Sequence, residues 1–325
     1  MTGGKLLASL VSGSAIPVKK SGVSGFPSGN GGGGTRGVMA GGNTTKDLIS
    51  FITPDTEGDA ELFGDLINEV SGLGAVASTS RAIFGGGDSN TDVMSFVEIS
   101  TEANSLDYGN LTVARRFLAG TGGSSRGIFG GGVVNGADND VIDFCTIDNS
   151  PANATSFGDL ATPSDSLGAV SSESRAVWGG GETTGGFTNV MQYVAMDTEA
   201  NAVSYGILTV ARTYVTGGSA STSRGLFLGG RIAGDNPSAV IDFITIDNTP
   251  TDATSFGDLS LARRETASVS SSSRCVCAGG NDYVGGSGGA VDVMDFVEFE
   301  TEANATSFGS LTEARFSFSG ASQLE

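Results

Sequence analysis

Short runs in which almost every position is apolar recur along the chain at an even pace. They read DLISFI (47–52), DVMSFVEI (92–99), VIDFCTI (141–147), NVMQYVAM (189–196), VIDFITI (240–246) and DVMDFVEF (292–299). Each is rich in Val, Ile, Phe and Tyr and is bounded by Gly, Asn and Asp, the composition of a β-strand. Apolar residues fill adjacent as well as alternate positions, as in strands buried on both faces, and no stretch has helical spacing. Downstream of each run lies an aromatic-Gly pair: Phe63-Gly64, Tyr108-Gly109, Phe157-Gly158, Tyr205-Gly206, Phe256-Gly257 and Phe308-Gly309. Four repeats continue to Ala-Arg, at Arg115, Arg212, Arg263 and Arg315, and then to a strand of small residues and a Ser-rich turn. The first and third repeats carry SGLGAV and DSLGAV there instead.

A second signature sets the period. An Arg is followed by Gly-Gly in TRGVMAGG (Arg36), SRAIFGGG (Arg81), SRGIFGGG (Arg126), SRAVWGGG (Arg175), SRGLFLGG (Arg224) and SRCVCAGG (Arg274), at spacings of 45, 45, 49, 49 and 50 residues. Such spacing marks a repeat architecture, and four short strands per period predict an all-β fold, a β-propeller with four antiparallel strands in each blade. A linear β-solenoid would use coils of roughly 20–30 residues. The C-terminal FSFSGAS (316–322) reads as a first strand with no successor, whereas the pattern near the N-terminus starts at a second strand. Pairing of 316–322 with 36–42 would close a six-bladed ring and remove its open edges. TEAN at 101–104, 198–201 and 301–304 alternates with IDN at 147–149 and 246–248, so the ring is built from two-blade units.

The order of these features resembles the kelch propeller family, in which Gly-Gly ends the second strand and an aromatic-x-x-Leu in the fourth leads to an Arg. FGDLSLARRETASVSSSSRCVCAGG (256–280) carries the resemblance, and the other repeats over 36–325 follow it. The chain departs from that family by using Phe or Tyr for the usual Trp and by having no His. The wording of the repeats is also similar to repeat proteins of marine bacteriophages, in which SRGxFxGG and FGDLT recur. That likeness implies a virion component, whereas the kelch likeness alone implies a protein–protein interaction module in a cell.

Charge divides the chain in two. Residues 1–46 hold all four lysines and Arg36 and no acidic residue, a balance of +5, and the remainder carries −24. An acidic body repels phosphate backbones, which excludes nucleic acid as the expected partner. Residues 1–35 are therefore expected to form a basic Gly/Ser-rich arm, with Lys5, Lys19 and Lys20 either anchoring to an acidic protein surface or solubilising the chain. No run reaches the roughly 20 apolar residues of a membrane-spanning helix, and the broken apolar stretch after Lys5 is not expected to act as a signal peptide. Cys145, Cys275 and Cys277 are too few for a disulfide framework and read as small core residues.

Candidate chemistry is sparse. Without His the chain lacks the commonest general base and transition-metal ligand, and the histidine-liganded copper site of kelch-fold oxidases is excluded. The Ser-x-Asp-x-Gly-x-x-Trp box of sialidase propellers is missing too. The Gly-rich stretches are never followed by the Lys and helix of a phosphate-binding loop. The six period-marking arginines are expected to begin second strands and to bond carbonyls or an acidic partner in the next blade. Asp88, Asn90 and Asp92, and Asp138, Asp140 and Asp143, offer hard oxygens at alternate positions, although neither set has the terminal Glu of a complete calcium loop.

The loop between second and third strands varies most, from NTTK (43–46) through ETTGGFT (182–188) and RIAGDNPSA (231–239) to NDYVGGSGGAV (281–291). Variable loops on a rigid scaffold carry recognition, so Phe187, Arg231, Asn236, Asp282 and Tyr283 are the contact candidates. The expectation is a non-catalytic structural or adhesion protein of a phage particle, without cofactor. Its arm would anchor to other virion proteins in an oligomeric assembly, and its loop face would meet a neighbour or a host glycan. A cellular kelch-type module, cytoplasmic or at the cell surface, is the alternative, and a propeller hydrolase or lyase the third class.

Overall fold

The computed structural model describes Met1 and residues 36–219, 224–284 and 288–322, which excludes the arm with Lys5, Lys19 and Lys20. The described residues form no helix; six four-stranded antiparallel sheets make a six-bladed β-propeller. In the second blade the strands are Gly74–Ala77, Arg81–Gly85, Val93–Glu98 and Leu106–Asn110. The first strands touch one another around the axis, and the fourth strands form the outer rim. Closure is as expected: Ser319–Ser322 is the first strand of blade 1 and pairs with Gly37–Ala40 in the register Gly37↔Ser322 to Ala40↔Ser319.

Strands with both faces apolar are needed because the core lies between blades. Each hydrophobic cluster joins two neighbours; one unites Ile49, Phe51 and Phe63 of blade 1 with Ala82, Phe84 and Val97 of blade 2. The three cysteines are buried free thiols in such clusters. In every blade the third-strand aromatic meets the fourth-strand aromatic edge to face, with centroids 5.7–6.1 Å apart. The Gly after that aromatic is required by the next blade: a Cβ on Gly64 would press on the carbonyl of Ala103, and one on Gly257 on that of Ala303.

The six period-marking arginines are clamps on the face where first strands turn into second. Each guanidinium lies over the third-strand aromatic of its own blade at 4.4–5.0 Å and donates to carbonyls of the next blade, as Arg81 does to Asn149 at 2.8 Å. The alternation of two blade types is a difference in interface chemistry. From odd to even blades the clamps reach Glu102, Glu199 and Glu302. From even to odd blades, paired serines donate to Asp148, Asp247 and Asp55, as Ser172 and Ser174 do to Asp247 at 2.6 and 2.5 Å.

The Ala-Arg motif belongs to the link that leads into the following blade, and this explains its gaps. Arg115, Arg212 and Arg263 are fully buried against Asp143, Asp242 and Asp295 of their blade's third strand, at 2.7, 2.8 and 3.0 Å. The two links without Arg enter blades 2 and 4, whose third strands carry Ser95 and Gln192 at that position. Arg and carboxylate are thus present together or absent together, as expected where either alone would leave an unpaired buried charge. Blade 1 is the exception. There Arg315 donates to Ser50 Oγ and to the carbonyls of Met39, Gly41 and Leu48, and burial, opposed by the charge of Glu313, lowers its pKa to about 10.

Candidate functional site

The loops between second and third strands, and the links between blades, crowd one face around the axis. In blades 3, 4 and 5 the loop is a two-stranded ribbon: Val133–Val134 with Ala137–Asp138, Glu182–Thr183 with Gly186–Phe187, and Arg231–Ile232 with Asn236–Pro237. The first ribbon turns at Asn135-Gly136, both at positive φ (50° and 84°), the backbone that Asn-Gly favours in a tight hairpin. Each ribbon is tied to the incoming link by a further pair, Arg116↔Val133, Asp165↔Glu182 and Thr213↔Arg231, and Arg264↔Asn281 repeats this in blade 6.

Immediately after that pair each link makes one left-handed step. Gly72, Phe117, Ser166, Tyr214, Glu265 and Ser317 have φ of 67°, 55°, 54°, 53°, 58° and 56°. Their backbones form a closed belt of hydrogen bonds. Gly72 N–H donates to Ser317 O, Phe117 to Gly72 and Ser166 to Phe117, at 2.7, 2.7 and 2.9 Å. Val215 then donates to Ser166, Glu265 to Tyr214 and Ser317 to Glu265, at 3.3, 3.5 and 3.0 Å. A left-handed non-Gly residue costs roughly 1–2 kcal/mol, and a net hydrogen bond returns about 1 kcal/mol, so the belt about offsets its own strain. The geometry it imposes is what remains. Five side chains and Gly72, one position from each link, are turned to the mouth of an axial cavity of about 650 Å³, counting its open end.

The mouth is asymmetric. Phe117 and Tyr214 meet edge to face at 5.7 Å, and Phe117 also lies so close over Gly72 that a Cβ there would fall 2.9 Å from its ring. Opposite them Glu265 accepts from Ser317 Oγ and stands 3.5 Å from Arg264. Burial raises the Glu265 pKa, with Ser317, Arg264 and Arg231 opposing. Asp165 is raised to about 6, first by burial and then by a hydrogen bond and like charge from Asp138 and by the charge of Glu182. Below the rim, Leu73, Leu118, Leu167, Val215 and Phe318 form an apolar girdle that is interrupted only by Thr266, the residue after Glu265, whose hydroxyl meets Thr216.

Of the candidate contact residues, Phe187 and Arg231 come together. The Arg231 guanidinium lies 4.7 Å from the Phe187 ring centroid and 5.1 Å from that of Tyr214, and it bonds Glu182 at 3.1 Å and Asp235 at 3.2 Å. Asn236 is exposed on the second strand of the same ribbon. Asp282 and Tyr283 lie in the blade 6 loop, where Asp282 Oδ1 accepts from Gly289 N–H and Tyr283 N–H donates to Asn281 Oδ1, both at 2.8 Å. The Tyr283 ring is exposed.

The calcium candidates are otherwise engaged. Asp88 faces Ser71, Lys46 and Arg116, Asn90 faces Asn135 of the next ribbon, and Asp138 faces Asp165. Asp92 and Asp140 contribute backbone carbonyls, to Leu111 and Leu160. Asp143 is the buried partner of Arg115. Among the described residues no three acidic, Cys or His side chains converge as metal ligands.

The rim residues themselves escaped the motif reading. Their signal is an aligned column, just before the first strand, that carries Gly, Phe, Ser, Tyr, Glu and Ser in the six repeats. No protein-family model matches the chain, and no curated protein sequence is significantly similar to it.

Proposed function

We propose that this protein is a non-catalytic recognition module whose loop face, centred on the axial mouth, binds a partner. In keeping with its sequence likeness, we place it as a structural or adhesion component of a phage particle. One observation carries the reading. The clamps, aromatic pairs and Gly contacts repeat around the ring, while the residues that differ most between blades gather at the rim and in the ribbons of one face. Six repeats that served only as a scaffold would have no reason to vary freely on that face while the opposite face keeps to two alternating sets of contacts. Phe187, Arg231, Asn236, Asp282 and Tyr283 are then rim contacts around Phe117, Tyr214 and Glu265, and the arm at 1–35 is the anchor to other virion proteins.

The test is a glycan array probed with the intact protein beside a variant carrying Phe187→Ala, Arg231→Ala and Tyr283→Ala, with incorporation into particles scored in parallel. The expected result is selective glycan binding that the variant loses while it still incorporates. Equal binding by both proteins would overturn the role of the loop face. Removal of residues 1–35 is expected to do the reverse, abolishing incorporation and sparing glycan binding.

A further inference from the structure

The axial cavity has a chemistry of its own, independent of the virion reading. It is lined as two stacked chambers that share Gly120, Ala169, Gly217, Ser268 and Gly320 in their walls, one opening to the loop face and one to the turn face. Among the described residues, the ionisable side chains lining them are Tyr214 and Glu265 at the loop mouth and Glu173 at the opposite end, and no Lys or Arg lines either chamber. The three nearest arginines on the loop face are already committed. Arg116 lies over Phe117 and beside Asp88, Arg231 over Tyr214 and beside Glu182, and Arg264 on Asp235 at 2.7 Å, with its Nε 3.5 Å from Glu265.

Two consequences follow. An anionic ligand would enter a low-dielectric tube with carboxylates at both ends and no cation to receive it, within a chain of net charge −19. A polyol would have to leave its hydroxyls against Leu73, Leu118, Leu167, Val215 and Phe318, where burial of an unbonded hydroxyl is costly. The arrangement instead has a carboxyl and two aromatic rings at the rim with an apolar girdle directly beneath, and this matches an amphipathic cation. Its ammonium would sit at the rim beside Glu265 and the rings of Phe117 and Tyr214, where carboxylate and aromatic quadrupole both attract it. Its alkyl tail would displace water from the girdle. Serine and threonine hydroxyls deeper in the walls are turned to protein partners, Thr216 to Thr266 at 2.6 Å and Ser268 to the Gly217 carbonyl, so they make few demands on the guest.

We propose that the loop-side mouth of the axial channel is a binding site for a small alkylammonium ligand, with Glu265 receiving the ammonium and the Leu73–Leu118–Leu167–Val215–Phe318 girdle receiving the tail. Glu265 is here a binding residue, and Phe117 and Tyr214 are the walls of the site.

The experiment is titration calorimetry of the intact protein with n-pentylammonium, 1-pentanol, pentanoate and methylammonium. Pentylammonium is expected to bind saturably, about tenfold tighter than the isosteric alcohol, and pentanoate not at all. It is also expected to bind at least about tenfold tighter than methylammonium, from the four added methylenes in the girdle. In Glu265→Gln the preference for ammonium over alcohol should shrink to about twofold, with the melting temperature unchanged. Equal affinity for pentylammonium and pentanol, unaltered ammonium affinity in Glu265→Gln, or no binding by any probe would each overturn the proposal. If Glu265→Gln does not fold, the four-probe comparison on the unmodified protein decides alone.

Discussion

The two faces of this ring use the same number of residues in opposite ways. On the turn face six arginines each lie over an aromatic ring and bond into the next blade, with two sets of acidic partners alternating around the ring. On the loop face six rim positions share one backbone conformation and carry Gly, Phe, Ser, Tyr, Glu and Ser. A scaffold contact has to work identically six times to close a circle, so its residue type is held. A rim side chain has only to fit its own neighbours, and its type is free. Repetition within this chain therefore marks the scaffold, and its failure marks the surface available for recognition.

The contrast can be broken most forcefully in the scaffold. Asp242→Ala strips the carboxylate from Arg212, which is completely buried, and should cost about 3–5 kcal/mol of stability in urea unfolding. Next in size is the reverse change in blade 1. Ser50→Asp would give Arg315 the counter-ion its equivalents possess and should stabilise by about 1–3 kcal/mol, seen as a higher midpoint in the same measurement.

A third test sets the loop face against the scaffold through pH. Asp165 keeps its proton up to about pH 6 in the folded ring, whereas an unfolded Asp releases it near pH 3.9. The native state therefore binds more protons across that interval, and stability should fall as pH rises from about 4 to 6. Asp165→Asn should match the unmodified protein near pH 4 and exceed it at pH 7, with the crossover read from melting curves. The smallest stability effect is expected for Arg231→Ala, about 1 kcal/mol or less, because its ion pairs are partly exposed. If recognition lies on the loop face, that variant loses binding without losing the fold.

Much of the scaffold was legible because it is written six times. Blade count, ring closure and the clamp role of the arginines all follow from residues that recur at one offset, and the two-blade unit follows from TEAN and IDN. The buried Arg–Asp pairs were half legible. Arg115, Arg212, Arg263 and Arg315 stood out, but their gaps made sense only once the link was assigned to the following blade, where Ser95 and Gln192 replace the carboxylate. The candidate site was legible only at its edge. Phe187 and Arg231 were found because loop length varies visibly. Phe117, Tyr214 and Glu265 lie between 51 and 148 residues from one another, share no motif, and meet only because six left-handed steps bend toward a single axis. The ribbons hid behind their turn residues, although Asn135-Gly136 signalled one of them.

The pairing of Ser319–Ser322 with Gly37–Ala40 also sets the order in which the protein can be finished. Strands two to four of blade 1 leave the ribosome before the rest of the ring, yet their inner edge stays unpaired until residue 322 has been made. Throughout synthesis that edge is open to any other strand, including the closing strand of a neighbouring nascent chain. Chains made side by side on one message can therefore exchange tails. The strand Ser319–Ser322 is thus both the lock of its own ring and a means of linking to a second copy.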